Sequence, residues 1–272
     1  MLWLHSPAED DWARIQRQGV IRIGYAVEAP YAFLNPRGEL TGESVEVARR
    51  TAERLGIRRI EWSQTEFGSL IPELQAGRFD VIAAGMFITP DRAQVVAFSE
   101  PTLRVAPGLL VPAGNPQKLT TYGDLRLRPA ARVAVVQGAV EETALRRLGL
   151  GDQQLVPVPD ALTGRAAVEN GVAQAFALSL PALREIVRSR GATGLEIVSL
   201  RESNTSSGGA PVGFVGFVFR LEDDSLRTAW NSALSGFVGG PQHLALIQEF
   251  GLDVADLPAG RTTAEILSEP NQ

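Results

Sequence analysis

Short apolar runs alternate along this chain with stretches in which apolar residues recur every three or four positions. The runs at 20–25 (VIRIGY), 79–86, 132–136, 173–177 and 212–220 have strand length. Most lack polar alternation, as expected of parallel strands covered on both faces. Segments 12–18, 45–55, 67–76, 140–148, 162–170, 182–190, 225–237 and 242–250 read as helices; within 67–76, Leu70, Ile71 and Leu74 share one face. Residues 59–62 and 153–158 add short strands, and Asn35-Pro36-Arg37-Gly38 reads as the turn of a small hairpin over 33–40. Ser44 is placed to cap the helix at 45–55, and Gly56 and Gly77 to end theirs. Residues 112–124 are turn-rich, 203–209 (SNTSSGG) read as a flexible loop and 258–272 as a frayed tail.

Strand, helix, strand order predicts mostly parallel sheets. Two such series are separated by the extended segment 105–111, which contains Pro107 and Gly108, and the extended segment 212–220 leads back. Crossings near 104–107 and 212–215 make a hinge between two lobes, and the cleft between lobes is the default ligand site. A chain of 272 residues with 44% hydrophobic content supports two such cores.

Composition removes several classes of function. The net charge of -5, with no basic run, argues against nucleic acid or an anionic membrane as partner. No cysteine is present, which excludes disulfides, zinc–thiolate sites and a cysteine nucleophile. His5 and His243 are far apart and lack carboxylate neighbours at ligand spacing, and no Walker, G-x-S-x-G or G-x-G-x-x-G motif occurs, so neither metal nor cofactor is expected. Lys118 is the only lysine among 26 basic residues. This bias fits a GC-rich genome or a heat adaptation seen in some families. The opening MLWLHSPAEDDW is not a signal peptide, and no segment has the length of a membrane span.

The most informative stretch is 67–102. A strand ends near Met86, and Thr89-Pro90-Asp91-Arg92 then starts a helix, with Thr89 as cap and Pro90 in the first position. Ligands of open α/β sheets bind outside the carboxyl ends of strands, and a guanidinium can grip a carboxylate with two bonds. Position alone is met equally by a surface arginine. Leu70, Leu74, Gly77, Asp80, Thr89, Arg92, Phe98, Ser99 and Pro101 together form a pattern that resembles the solute-binding proteins of polar amino-acid ABC importers. The resemblance runs over about residues 19–250. It implies a type II periplasmic-binding-protein fold in the α/β class, with lobe 1 formed by 1–104 and 215–272 and lobe 2 by 105–214. It also implies that Arg92 binds the ligand's carboxylate.

A narrower resemblance points to the ligand. The loop 28–31 (EAPY), 65–68 (TEFG), 84–90 (AGMFITP), 138–141 (GAVE) and the closing 240–251 are similar to strings of the ectoine/hydroxyectoine-binding family. By this likeness Glu28 accepts hydrogen bonds from a delocalised cation, and Tyr31, Phe67 and Phe87 enclose it. Backbone around Gly85, Phe87, Gly138 and Ala139 adds hydrogen bonds. Core packing competes with the cage role for Phe67 and Phe87, and less so for Tyr31 in its loop. Amino-acid binders of the wider family place an aspartate near Ser179 to hold an α-ammonium. A neutral Ser179 leaves that group without a counter-charge, and burying such a charge is costly.

The expected protein is therefore a non-enzymatic, monomeric binding protein for a small zwitterionic compatible solute. It would deliver this ligand to an ABC permease and be periplasmic or anchored at the cell surface. A polar amino acid or an opine is the alternative ligand. A cyclohexadienyl-dehydratase-like enzyme on the same fold is the rival from another class, disfavoured because Ser179 stands where the second lobe would supply a general acid.

Overall fold

The computed structural model describes residues 10–190, 194–200 and 212–269. The chain begins with α1 (Asp11–Gln18), β1 (Val20–Tyr25), a ribbon of β2 (Phe33–Leu34) and β3 (Leu40–Thr41), and α2 (Glu43–Arg54). β4 (Arg59–Gln64), α3 (Leu70–Gln75), β5 (Val81–Phe87), α4 (Pro90–Ala93), β6 (Ala97–Phe98) and β7 (Leu103–Val105) follow. Next come β8 (Pro107–Pro112), α5 (Gly123–Arg126), β9 (Val133–Val136), α6 (Val140–Arg147) and β10 (Leu155–Val158). The chain continues with α7 (Ala161–Glu169), β11 (Ala175–Ser179), α8 (Leu180–Arg190) and β12 (Leu195–Ser199). It closes with β13 (Gly213–Phe219), α9 (Asp224–Ser235), α10 (Pro241–Gln248) and α11 (Thr263–Ser268).

Two sheets result. One has the order β4-β1-β5-β13-β6, with β7 also paired to β13; the other has the order β10-β9-β11-β8-β12. Each is parallel only in part. β4, β1 and β5 are parallel, as are β10, β9 and β11. β13 runs antiparallel to β5, and β8 antiparallel to β11. The predominantly parallel expectation thus holds for three strands of each sheet. It fails for the strands joining the sheets, because a chain that crosses directly enters a sheet against its βα strands. Only Ala106 separates β7 in the first sheet from β8 in the second.

Apolar side chains cover both faces of both sheets. Ile21, Ile23, Val47, Phe217, Phe219 and Trp230 fill one side of the first sheet, and Leu70, Leu74, Phe79 and Ile82 the other. A further cluster joins Tyr31, Leu103, Val105 and Val215 to Ala134, Val136, Ala139 and Phe176 of the second sheet.

Several local expectations are corrected. Gly42, not Ser44, stands at the cap of α2. The Ser44 hydroxyl instead donates to Glu43 and accepts from the Gly85 N–H. Segment 67–76 opens as a 3-10 turn over Phe67–Ser69, because Pro72 has no N–H to give an α-helical bond there. β12 is an unpredicted strand whose half-buried alternation suits a sheet edge. The supposed tail carries α11, held by a Thr262–Glu265 capping box and by buried Ile266. The proposed loop 203–209 lies outside the described residues.

Candidate ligand-binding site

The carboxyl ends of the parallel strands meet between the two sheets. β1 leads to Glu28 and Tyr31, β4 to Phe67, and β5 to Phe87 and Arg92. From the other sheet β9 leads to Gln137, Gly138 and Ala139, and β11 ends on Ser179. Parallel strands put these loops on one side of their sheet, which is why residues as far as 148 positions apart, Tyr31 and Ser179, converge.

Arg92 is the bridge. Thr89 caps α4 by accepting from the Arg92 N–H at 3.3 Å, which fixes the first turn. The guanidinium donates to Phe87 O and, across the cleft, to Gly138 O, each at 2.9 Å. It lies 5.6 Å from the centre of the Phe67 ring, within cation–π range. Two of its five N–H donors are thus used, and three remain for a bidentate anion. No carboxylate lies within ion-pair distance of Arg92 among the described residues. Desolvation lowers its pKa to about 10, with Glu141 and Asp91 pulling the other way.

Tyr31 departs from the expectation drawn from its loop. It is only 1% exposed, and its ring lies over the Gly85 backbone, where a Cβ would come within 2.5 Å. Its hydroxyl donates to Ser179 Oγ at 3.0 Å, joining the two halves of the molecule. Ser179, 2% exposed, also accepts from the Ala182 N–H and so caps α8. Both residues are buried where the two sheets meet. Phe67 and Phe87 are half-buried, and Phe87 packs its ring edge on Gly213.

Backbone groups in the candidate site are largely committed. The Gly85 N–H donates to Ser44, the Gly138 N–H to Glu142, and the Ala139 N–H to Val136 O. What remains for a ligand is the spare donors of Arg92, the two phenylalanine rings and two carboxylates. The Glu28 side chain has no hydrogen-bond partner among the described residues, although its backbone pairs with Ala32. Burial, reinforced by the charge of Glu141, raises its pKa to about 8. Glu141, in the first turn of α6, is raised to about 7 by burial, partly offset by its own N–H and by Arg92. The site therefore holds one cation and two carboxyls, suited to a ligand with an anionic and a cationic end.

The chain as a whole is similar to known proteins. The model for bacterial extracellular solute-binding proteins, family 3, matches residues 21–248. The chain belongs to this family. It is an ABC-importer solute-binding protein of the polar amino-acid type with the type II periplasmic-binding fold. It is 32% identical over 259 residues to a probable amino-acid ABC transporter periplasmic-binding protein of Sinorhizobium fredii, covering 93% of this chain and 85% of that one. It is similar to the crystal structure of EhuB in complex with hydroxyectoine, with a TM-score of 0.87 and 28% identity over 96% of this chain and all of that one. It is also similar to an ancestral amino acid-binding protein that preceded cyclohexadienyl dehydratase, with a TM-score of 0.76, 25% identity and coverage of 88% and 98%. Among the described residues no helix is long and apolar enough to cross a membrane.

Within this solute-binding protein the family pattern separates into frame and site. Asp80 is fully buried and accepts from the Arg22 N–H, the Arg22 guanidinium and Arg14. Ser99 accepts from the Phe217 N–H. Both hold the first sheet together, and Arg92 alone of the quoted pattern carries its side chain to the cleft. Sequence reasoning missed Glu141, although its string was quoted. A single acid beside Glu142 gives no sign of which of the two turns inward. It also missed Gly68, whose added Cβ would stand 3.1 Å from Gln137 O across the cleft.

Proposed function

We propose that this protein captures a small zwitterion of the ectoine type for import. Residues 1–104 with 215–272 and residues 105–214 act as its two closing lobes. Arg92 takes the carboxylate. Phe67 and Phe87 flank the delocalised ring cation, Glu28 accepts from it, and Tyr31 and Ser179 form the floor.

One observation carries the reading. The Ser179 hydroxyl is already engaged by Tyr31 and by the Ala182 N–H. No carboxylate and no spare acceptor therefore stands at the end of β11 to receive a compact α-ammonium. Such a group has three donors, and each left unsatisfied costs about 1–3 kcal/mol. An amidinium within a ring has two N–H donors and π faces that match phenylalanine. The likeness to a hydroxyectoine-bound structure supports the same class.

A cationic α-amino acid is the second reading, favoured by the two carboxyls set against one guanidinium and by relatives such as the histidine-binding protein of Salmonella typhimurium, 33% identical over 124 residues. Neither reading involves turnover, and the protein is a carrier for a permease in the cell envelope. Calorimetry on Phe67→Ala and Phe87→Ser separates the two. Under the ectoine reading each loses about 0.5–2 kcal/mol of ectoine binding. Unchanged ectoine affinity in both variants would remove the aromatic part of the reading.

A further inference from the structure

We infer that Gly213 is a positioning residue for the ligand: by carrying no side chain it decides where the Phe87 ring stands in the cleft, and so which cation the cleft accepts. This rests on the reading above that Phe87 flanks the ligand's cation.

β13 opens with Gly213 and runs antiparallel to β5, with Val215 opposite Phe87. Residues two apart on a strand share a face, so Gly213 is the diagonal neighbour of Phe87 on the face that Val215 occupies. The Phe87 ring lies in the space that a side chain at 213 would fill. A Cβ on Gly213 would stand 2.2 Å and 2.3 Å from Cδ1 and Cε1 of that ring, and the next nearest atom, at 3.6 Å, is the Cγ of the same ring. No backbone strain asks for glycine here. Gly213 lies outside the left-handed region and pairs regularly with Val105 of β7. Gly216, three residues on, serves the frame instead: its Cβ would meet Ser99 Oγ at 3.1 Å, the hydroxyl that accepts from the Phe217 N–H.

Phe87 cannot yield to a larger neighbour by moving its backbone. Its carbonyl accepts from the Arg92 guanidinium at 2.9 Å, the Ile88 N–H donates to Phe214 O at 2.8 Å, and Val215 fixes the register. A methyl at 213 is therefore relieved by turning the ring about its side-chain torsions. Cation–π attraction requires the ring face to be turned to the cation, so a displaced ring keeps its bulk and loses its contribution. One residue thus serves both ends of the ligand. The Phe87 carbonyl orients Arg92 for the anion, and the Phe87 ring faces the cation. Gly213 controls the second without touching the first.

The test is a double-mutant cycle by calorimetry on the full chain, with ectoine and L-arginine as ligands. It compares wild type, Gly213→Ala, Phe87→Ser and the two substitutions combined. Aromatic NMR of the ligand-free, phenylalanine-labelled protein follows the Phe87 ring, identified as the signal missing from Phe87→Ser. Gly213→Ala should shift that signal and weaken ectoine about fivefold, the loss of one well-placed ring. On the Phe87→Ser background the same change should alter affinity by less than about twofold, because no ring is left to displace. A residue needed only for strand geometry would weaken binding equally on both backgrounds and lower the melting temperature of the combined variant below that of Phe87→Ser; that result would overturn the assignment. Wild-type ectoine affinity or an unmoved Phe87 signal in Gly213→Ala would also overturn it, while leaving the ectoine reading intact. Wild type binding L-arginine and not ectoine would overturn the ectoine reading; Gly213 is then judged by the same cycle on L-arginine. Wild type binding neither would overturn both.

Discussion

Gly68→Ala isolates lobe closure from ligand chemistry. Gly68 is exposed and has no left-handed backbone requirement, so an added methyl costs the first lobe nothing on its own. Across the cleft the methyl would stand 3.1 Å from the Gln137 carbonyl oxygen, while Gly138 brings its backbone over Gly68 from the opposite side. Ordinary contact needs about 0.3 Å more, and both neighbours are backbone that cannot swing aside. The lobes must therefore stop slightly short, stretching the Arg92–Gly138 bond from its 2.9 Å. Overpacking of this kind costs about 1–3 kcal/mol, and an opening hinge relieves part of it. About 1 kcal/mol, or roughly fivefold weaker binding, is expected. Gly68→Leu, whose side chain cannot be accommodated there, should cost well over tenfold. Calorimetry gives the affinity, and small-angle scattering with saturating ligand should give a larger radius of gyration for the variants than for wild type. Ligand-free melting temperatures should not move. Wild-type affinity and compaction in Gly68→Leu would show that the lobes do not meet at Gly68 and Gly138.

The other expectations concern charge. Arg92→Ala should weaken binding by about 2–5 kcal/mol, the loss typical of one partner removed from a buried charged pair, and Arg92→Lys should recover only part of it because an ammonium lacks the planar fork. Near-wild-type affinity in calorimetry would place the carboxylate elsewhere. Glu28 and Glu141 are raised from 4.5 to about 8 and about 7, so the folded protein holds their protons more tightly than the unfolded chain. Their contribution to ligand-free stability is full below pH 4.5 and is lost as pH rises to about 7–8, and buried Glu43, raised to about 7, acts in the same sense. Affinity for the ligand's cation should rise over the same window as the carboxylates ionise. Melting curves and titrations at pH 5 and pH 8.5 should therefore move in opposite directions, and Glu28→Gln should flatten both; parallel trends would refute the assignment of these groups.

The frame was legible because it depends on local signals. Gly77 takes a positive φ of 72°, Thr89 and Pro90 start α4, and the uninterrupted apolar runs became the inner strands. Arg92 was found because a helix start at a strand's carboxyl end is a local pattern. What stayed hidden depends on partners distant in sequence. Nothing around Tyr31 shows that Ser179 accepts its hydroxyl or that Gly85 supplies the flat surface beneath its ring. The Gly85 N–H is likewise taken by Ser44, 41 positions away, whereas the Gly138 N–H goes to Glu142 only 4 positions on. Glu141 and Glu142 are identical in sequence terms, and only the register of α6 against β9 decides which one turns inward. Antiparallel entry of β8 and β13 likewise follows from how the sheets are joined, which no single segment records.

The central claim is that the cleft prefers a delocalised ring cation with a carboxylate over a compact α-ammonium. A calorimetric titration of the wild-type protein with ectoine, repeated in competition with L-glutamine, L-arginine and L-histidine, tests it directly. Ectoine should bind at least a hundredfold more tightly than any of the three, by the roughly 3 kcal/mol that unsatisfied ammonium donors and lost ring contacts together supply. Tight binding of one of these amino acids, with no heat on adding ectoine, would contradict it.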